Sequence, residues 1–234
     1  PLSFAPILSQ LSGYQVYLKK ENLQRTGAFK IRGAFNKIAS LIEAGDRSGV
    51  VAASAGNHAQ GVAFSAKHFG IEATIVMPES TPLTKVMGVK EFGANVILYG
   101  SNYDEAYAYA IKFAEENNYS FVHPFEDDEV MSGQGTVALE IIQEMEDLDA
   151  MVVCVGGGGL ISGMSVASKA LNPECKIIGV SSEGAPAMKY SYDAKTPIDT
   201  TFVRTIADGI AVRDTTPNTL GYILYNVDVF ETVG

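Results

Sequence analysis

The sequence predicts an α/β fold of two lobes, each a mostly parallel sheet flanked by helices. Three observations carry this expectation. Short apolar runs alternate with segments of helical period, the runs are continuously apolar, and after a loop the pattern starts again. Strands buried on both faces of a parallel sheet read as unbroken apolar runs, and the helical crossovers supply the segments between them. Such sheets take ligands in the crevice at the C-terminal ends of their strands.

Taken in order, Val16-Tyr17-Leu18 has β character and leads into Lys19-Lys20-Glu21-Asn22. From Phe29 to about Ala44 the residues Ile31, Ala34, Phe35, Ile38, Leu41 and Ile42 recur with helical period, which places Lys30 at a helix start. A strand over Gly49–Ala53 opens onto Ser54-Ala55-Gly56-Asn57-His58, and a helix follows to Phe69. Strand Ala73–Met77, a helix over Pro82–Phe92, strand Asn95–Tyr99, a helix over Asp104–Asn117 and strand Ser120–Val122 complete the first set. His123 to Ser132 reads as a loop. The second set has a helix over Gly135–Met145, strand Ala150–Val155, four glycines, a helix to Leu171 and strand Lys176–Val180. Beyond Thr200 lie Ile206–Val212, a weak helix near Leu220 and a strand over Val227–Glu231. No internal repeat or low-complexity segment occurs.

With 234 residues and 47% hydrophobic content the chain can bury a substantial core. Its 17 basic and 27 acidic residues give a net charge of −10, without a basic cluster. A nucleic acid or an anionic membrane would repel such a surface, so a small molecule is the expected partner. No apolar run approaches the roughly 18 residues of a membrane span. Pro1-Leu2-Ser3-Phe4 lacks the basic-then-apolar layout of a signal peptide, and a cytoplasmic location is expected. Cys154 in an apolar run and Cys175 in a polar turn have the spacing of neither a metal site nor a disulfide scaffold.

Three constellations carry chemistry. Gly156-Gly157-Gly158-Gly159-Leu160 stands between an apolar strand and a helix, where backbone N–H groups converge at the positive end of the helix dipole. Consecutive glycines admit positive φ and close approach, so a phosphate is the expected guest. Neither G-x-x-x-x-G-K-[ST] nor G-x-G-x-x-G occurs there, which disfavours nucleoside phosphates. The loop Ser54-Ala55-Gly56-Asn57-His58 can present N–H donors with the Ser54 and Asn57 side chains to a carboxylate and a ring hydroxyl. The same two side chains could instead cap the following helix, and His58 suits a local hydrogen bond. Lys30, at a helix start in a cleft, has the setting that depresses an ammonium pKa and frees a nucleophilic amine. Phosphate loop, oxygen-binding loop and amine together match the phosphate, phenolic oxygen and aldehyde of pyridoxal 5'-phosphate, with Lys30 as its Schiff-base partner.

The stretch Lys20-Glu21-Asn22-Leu23-Gln24-Arg25-Thr26-Gly27-Ala28-Phe29-Lys30-Ile31-Arg32-Gly33-Ala34 closely resembles the cofactor-lysine signature of the serine/threonine dehydratases. These belong to the fold-type II (tryptophan synthase β-like) pyridoxal-phosphate enzymes. Ser54 through Gly61, Gly133-Gln134-Gly135-Thr136, the tetraglycine and Ala207-Asp208-Gly209 match in the same order. The resemblance implies that Lys30 is the catalytic lysine, that Phe29 packs by the ring and that Asn57 bonds its phenolic oxygen. Gly156, Gly157, Gly158, Gly159 and Leu160 would wrap the phosphate, with Gly209 among the cofactor contacts. Ser54, Ala55, Gly56, Asn57 and His58 would form the loop that receives the substrate carboxylate. The implied reaction is α-proton abstraction and β-elimination of water, turning L-threonine into 2-oxobutanoate and ammonia and L-serine into pyruvate.

The implied architecture is a discontinuous large domain of residues 1–33 and 134–234, its C-terminal part missing, and a small domain of residues 34–133. Serine racemases of this family carry a second serine where Ala55 stands, and alanine cannot exchange a proton. A racemase or β-replacement enzyme of the same fold, or an inactive truncated lobe that binds the cofactor, are the alternatives. The family pattern continues past Gly234 to a serine- and glycine-rich segment that meets the pyridine nitrogen, and a helix precedes the residue matching Pro1. A piece of a longer protein, or an incomplete enzyme, is therefore expected. Ser181 stands where related racemases place a metal-binding glutamate, with Glu183 nearby, and no metal is assigned. The family commonly forms dimers or tetramers, which implies a homo-oligomer.

Overall fold

The computed structural model describes residues 1–145 and 147–234. A short antiparallel pair, β1 (Leu2–Phe4) with β2 (Tyr17–Lys19), brackets helix α1 (Pro6–Ser12), which buries none of its side chains. A single 3-10 turn at Glu21–Leu23 leads to α2 (Lys30–Glu43). Then β3 (Val50–Ala53), α3 (Asn57–Phe69), β4 (Ala73–Met77), α4 (Leu83–Glu91), β5 (Asn95–Leu98), α5 (Tyr103–Asn117) and β6 (Ser120–Phe121) alternate. Their strands form one all-parallel sheet in the order β5-β4-β3-β6. The central strand β3 is wholly buried along its length, as its unbroken apolar run requires.

Helix α6 (Asp128–Glu144) crosses to the second sheet, built from β7 (Ala150–Cys154), α7 (Gly159–Leu171), β8 (Lys176–Ser182), α8 (Ala187–Ala194), α9 (Pro217–Asn226) and β9 (Val229–Val233). Its strands run parallel in the order β7-β8-β9. Each sheet has its own core. Ile38, Val62, Ile75 and Met77 fill the first, and Ile161, Ile177, Met188 and Ile223 the second. α6 serves both, with Val130 in the first core and Val137 and Ile141 in the second.

The start of α6 departs from the sequence expectation. The helix begins at Asp128, not at Gly135, because Asp127 caps it by accepting the N–H groups of Glu129 at 2.9 Å and Val130 at 3.1 Å. Gly133, outside the expected helix, and Gly135, expected at its start, both lie inside it. A Cβ on Gly133 would stand 2.7 Å from Gly33 Cα of α2, and one on Gly135 would stand 2.8 Å from Gly163 O of α7. Two glycines cost a helix about 1 kcal/mol each in propensity. Here they let three helices touch backbone to backbone. Between them Gln134 is buried and accepts the Gly33 N–H at 3.2 Å. β2 lies where Val16-Tyr17-Leu18 has β character, whereas β1, α1 and α8 carry no signal that the sequence expectation used. No helix among the described residues is long and apolar enough to cross a membrane.

Candidate active site

Lys30 opens α2, and two residues later Arg32 fixes that helix start. Its guanidinium donates to both carboxylate oxygens of Glu21, at 2.7 and 2.8 Å, and to both of Glu140, at 2.6 and 2.8 Å. Burial alone would lower the Arg32 pKa, but the two carboxylates outweigh it and raise the value further. Hydrogen bonding from Arg32 lowers Glu140 to about 2. This planar, bidentate clamp joins the turn before α2, α2 itself and α6. The Lys30 amine donates to the carbonyl of Pro124 at 2.6 Å, and desolvation lowers its pKa from 10.5 to about 8. The ring of the half-buried Phe29 lies 5.6 Å from the same nitrogen.

The helix that follows β3 packs on the start of α2. Gly61 packs on Lys30, where a Cβ would stand 3.1 Å from the lysine carbonyl. Ser54 Oγ accepts the Gly56 N–H at 3.1 Å, and the start of α3 has no side-chain cap, so the capping role open to Ser54 and Asn57 is not used. Asn57 is exposed, Ser54 and Ala55 are half-buried, and nothing lies within 4 Å of a Cβ built on Gly56. His58 turns inward. Its Nε2 donates to the Val122 carbonyl at 2.8 Å, which leaves Nδ1 buried and without a partner among the described residues. Desolvation first, and the Lys30 charge second, lower His58 to about 3, so the ring is neutral.

The tetraglycine follows β7. Gly158 has φ +91°, the left-handed region that glycine enters without strain, and α7 begins beyond it with no side-chain cap. Among the described residues, the N–H groups of Gly156 through Leu160 donate to no backbone or side-chain acceptor. These glycines also answer to the chain itself. A Cβ on Gly157 would stand 2.6 Å from the Phe125 ring, and one on Gly156 would stand 2.9 Å from Ile210 Cα. Ser181 Oγ donates to the Val155 carbonyl at 2.8 Å and so holds the strand end that feeds the loop. Gly209 is exposed in a 3-10 turn, Asp208–Ile210, whose last residue covers Gly156. Two ion pairs tie this segment to the first lobe, Arg213–Asp104 at 2.9 Å and Lys85–Asp208 at 3.5 Å.

The last residue of the expected strand Ser120–Val122 and the expected loop after it join all three constellations. The Val122 carbonyl takes His58, the Pro124 carbonyl takes Lys30, and Phe125 packs on Gly157 and Gly159. His123 Nδ1 accepts the N–H groups of Phe125 at 3.2 Å and Glu126 at 2.7 Å. Desolvation and then the Lys30 charge lower His123 to about 4.

The residues fit pyridoxal phosphate: a desolvated amine suits the aldehyde, and a run of unengaged amides at a helix N-terminus suits the phosphate. Fold and site together describe an α/β protein with the parts to hold a phosphorylated carbonyl cofactor beside a lysine. Residues 1–234 match the pyridoxal-phosphate dependent enzymes, and the chain belongs to that family. It is 53% identical over 212 residues to the L-threonine ammonia-lyase of Thermotoga maritima, covering 91% of this chain and 53% of that protein. It is 49% identical over 220 residues to the L-threonine ammonia-lyase of Geobacter sulfurreducens, covering 94% of this chain and 55% of the relative. The chain thus spans about half the length of these curated relatives. Among solved structures, the processed threonine deaminase isoform 2 of Solanum lycopersicum superimposes with a TM-score of 0.96 at 39% identity, covering 100% of this chain and 64% of that one. Maize serine racemase superimposes at 0.95 and 35% identity, covering 100% of this chain and 70% of the other.

Proposed function

We propose that this chain belongs to a threonine/serine dehydratase that converts L-threonine to 2-oxobutanoate and ammonia, and L-serine to pyruvate. The observation that carries the reading is the Lys30 amine, desolvated, bonded to a neutral carbonyl and lowered to about 8. Relatives named L-threonine ammonia-lyase at 53% and 49% identity support the reaction.

When bound, pyridoxal phosphate supplies an electron sink for the α-carbon of an amino acid. Lys30 would hold it, and the Nζ amine would take the substrate α-proton, a task suited to an amine whose pKa lies near the working pH. Amides of Gly156, Gly157, Gly158, Gly159 and Leu160 would hold the phosphate. Asn57 would bond the ring oxygen, Phe29 would pack beside the ring, and Gly209 stands in the segment over the tetraglycine. Ser54, Gly56 and the first-turn N–H groups of α3 orient the substrate carboxylate, with Ala55 in the same loop and His58 holding it from within. Ala55 offers no proton to the opposite face of the α-carbon, which favours elimination over racemisation.

The two separate cores support a division into a large domain of residues 1–33 and 134–234 and a small domain of residues 34–133. The reading includes a cytoplasmic location. It also includes a homo-oligomer, supported by the apolar Ile7 and Leu11 that α1 leaves in solvent. The test is to load the protein with pyridoxal phosphate, supply L-threonine and measure 2-oxo acid. Product formation that disappears in Lys30→Ala supports the proposal. A cofactor-loaded protein that makes no 2-oxo acid from threonine or serine rejects it.

A further inference from the structure

We propose that His123 is a positioning residue for both ends of the cofactor site: by accepting the N–H groups of Phe125 and Glu126, it holds the Pro124 carbonyl against Lys30 and the Phe125 ring against the tetraglycine. The cofactor assignment is that of the proposed function, and the geometry stands apart from it. An amide N–H can only donate, so two of them on Nδ1 at 3.2 and 2.7 Å require a bare lone pair there and place the ring proton on Nε2. The imidazole therefore works as a local acceptor that folds residues 123–126 into a turn, as asparagine does in an Asx-turn. Pro124 lies inside that turn, and its carbonyl is the hydrogen-bond partner of the Lys30 amine. Phe125 also lies inside it and fills the space over Gly157 and Gly159.

The choice of acceptor has a chemical consequence. A carboxylate against Lys30 would hold it as an ammonium, whereas a carbonyl positions the nitrogen and leaves it free to lose its proton. The titratable groups that face Lys30 are His58 from α3 and His123 from the turn, both neutral, and Asp127 acts on His123 from the start of α6. Two substitutions separate the acceptor from the ring. His123→Asn keeps an oxygen the same number of bonds from Cα as Nδ1 but removes the aromatic surface. His123→Phe keeps the ring that packs 6.0 Å from Tyr107 and 4.8 Å from Phe125, centroid to centroid, and removes the acceptor.

The measurement is competitive acetylation of the cofactor-free protein across pH, read by mass spectrometry on the peptide that carries Lys30. A second readout is the visible absorbance on titration with pyridoxal phosphate. The native amine should titrate near about 8. In His123→Phe the midpoint should rise by roughly one pH unit as water reaches the amine. Cofactor binding should weaken about tenfold. His123→Asn should stay at the native midpoint. A folded His123→Phe that titrates as the native protein, or a His123→Asn midpoint raised as far as that of His123→Phe, overturns the proposal. Should His123→Phe not fold, His123→Asn decides: a native midpoint supports the acceptor role and a raised one overturns it. Acetylation needs no catalysis, so a failed dehydratase assay alongside the expected shifts rejects the function and leaves the positioning role standing.

Discussion

α6 begins with Asp127, whose carboxylate accepts two first-turn amides, and continues with Asp128 and Glu129; α7 begins with Gly158 and has neither a cap nor an acidic residue in its first turn. The same contrast separates α5, capped by Asn102 with Asp104 and Glu105 behind it, from α3, which starts at a bare Gly56. Among the described residues, α1, α4, α8 and α9 start at or beside Pro6, Pro82, Pro186 and Pro217, and proline lacks an N–H to leave unsatisfied. Among the described residues only α2, α3 and α7 start with neither device, and they carry Lys30, Asn57 and the end of the tetraglycine. A missing cap costs about 1 kcal/mol of stability. The chain forgoes that stability at the three starts where the proposed site would receive an anion or an electrophile, and takes it elsewhere.

The largest test of this contrast is Lys30→Ala. Turnover should fall roughly 10³-fold or more, and the visible absorbance of retained cofactor should vanish. A variant that keeps both would mean that the bare start of α2 serves no chemistry.

Acid should reach the bare ends before the capped ones. His58 and His123 are lowered from 6.5 to about 3 and about 4, so the folded state prefers them neutral. Their contribution to stability is whole above pH 6.5 and is lost as pH falls toward about 4 and then about 3. Lys30 is also lowered, so its burial penalty is relieved as pH rises from about 8 to 10.5. Hydrogen exchange on the cofactor-free protein should show α3 and residues 122–126 opening before α5 as pH drops. Simultaneous opening would contradict the assignment.

Gly56→Asp converts a bare start into a capped one. The site has open space and φ −132°, which any residue adopts. Thermal stability should rise by about 0.5–1 kcal/mol while KM for the amino acid rises about tenfold, because the new carboxylate occupies the positive helix end. Higher stability with an unchanged KM would show that no substrate anion binds there. The smallest effect is expected at the opposite pole. Asn102→Ala removes the bond from Glu105 N at 3.0 Å and should cost about 0.5–1 kcal/mol in denaturant unfolding, with cofactor affinity unchanged.

Much of this was legible in the residues. The strands of the first sheet declared themselves because burial on both faces leaves no polar position, as in Val50–Ala53. Lys30 and the tetraglycine stood out because their side chains, or the lack of them, suit the proposed chemistry. Residues 122–126 were not, since Val122 and Pro124 act through carbonyl groups that every residue owns. A histidine followed by proline at a strand end was the one available signal. The α6 boundary failed for a related reason. Glycine normally argues against helix, and only the neighbours Gly33 and Gly163, distant in sequence, explain Gly133 and Gly135.

The glycine contacts among α2, α6 and α7 set one further property of the molecule. Where side chains separate two helices, a change of rotamer or of residue resets the gap; where peptide rests on peptide, the gap is the thickness of the chain and has no lower setting. The helix that starts at Lys30 and the helix behind the tetraglycine are therefore spaced by a gauge that cannot be tuned by small substitutions. The loops around them can drift in sequence while the span from the Lys30 helix to the tetraglycine helix stays the same.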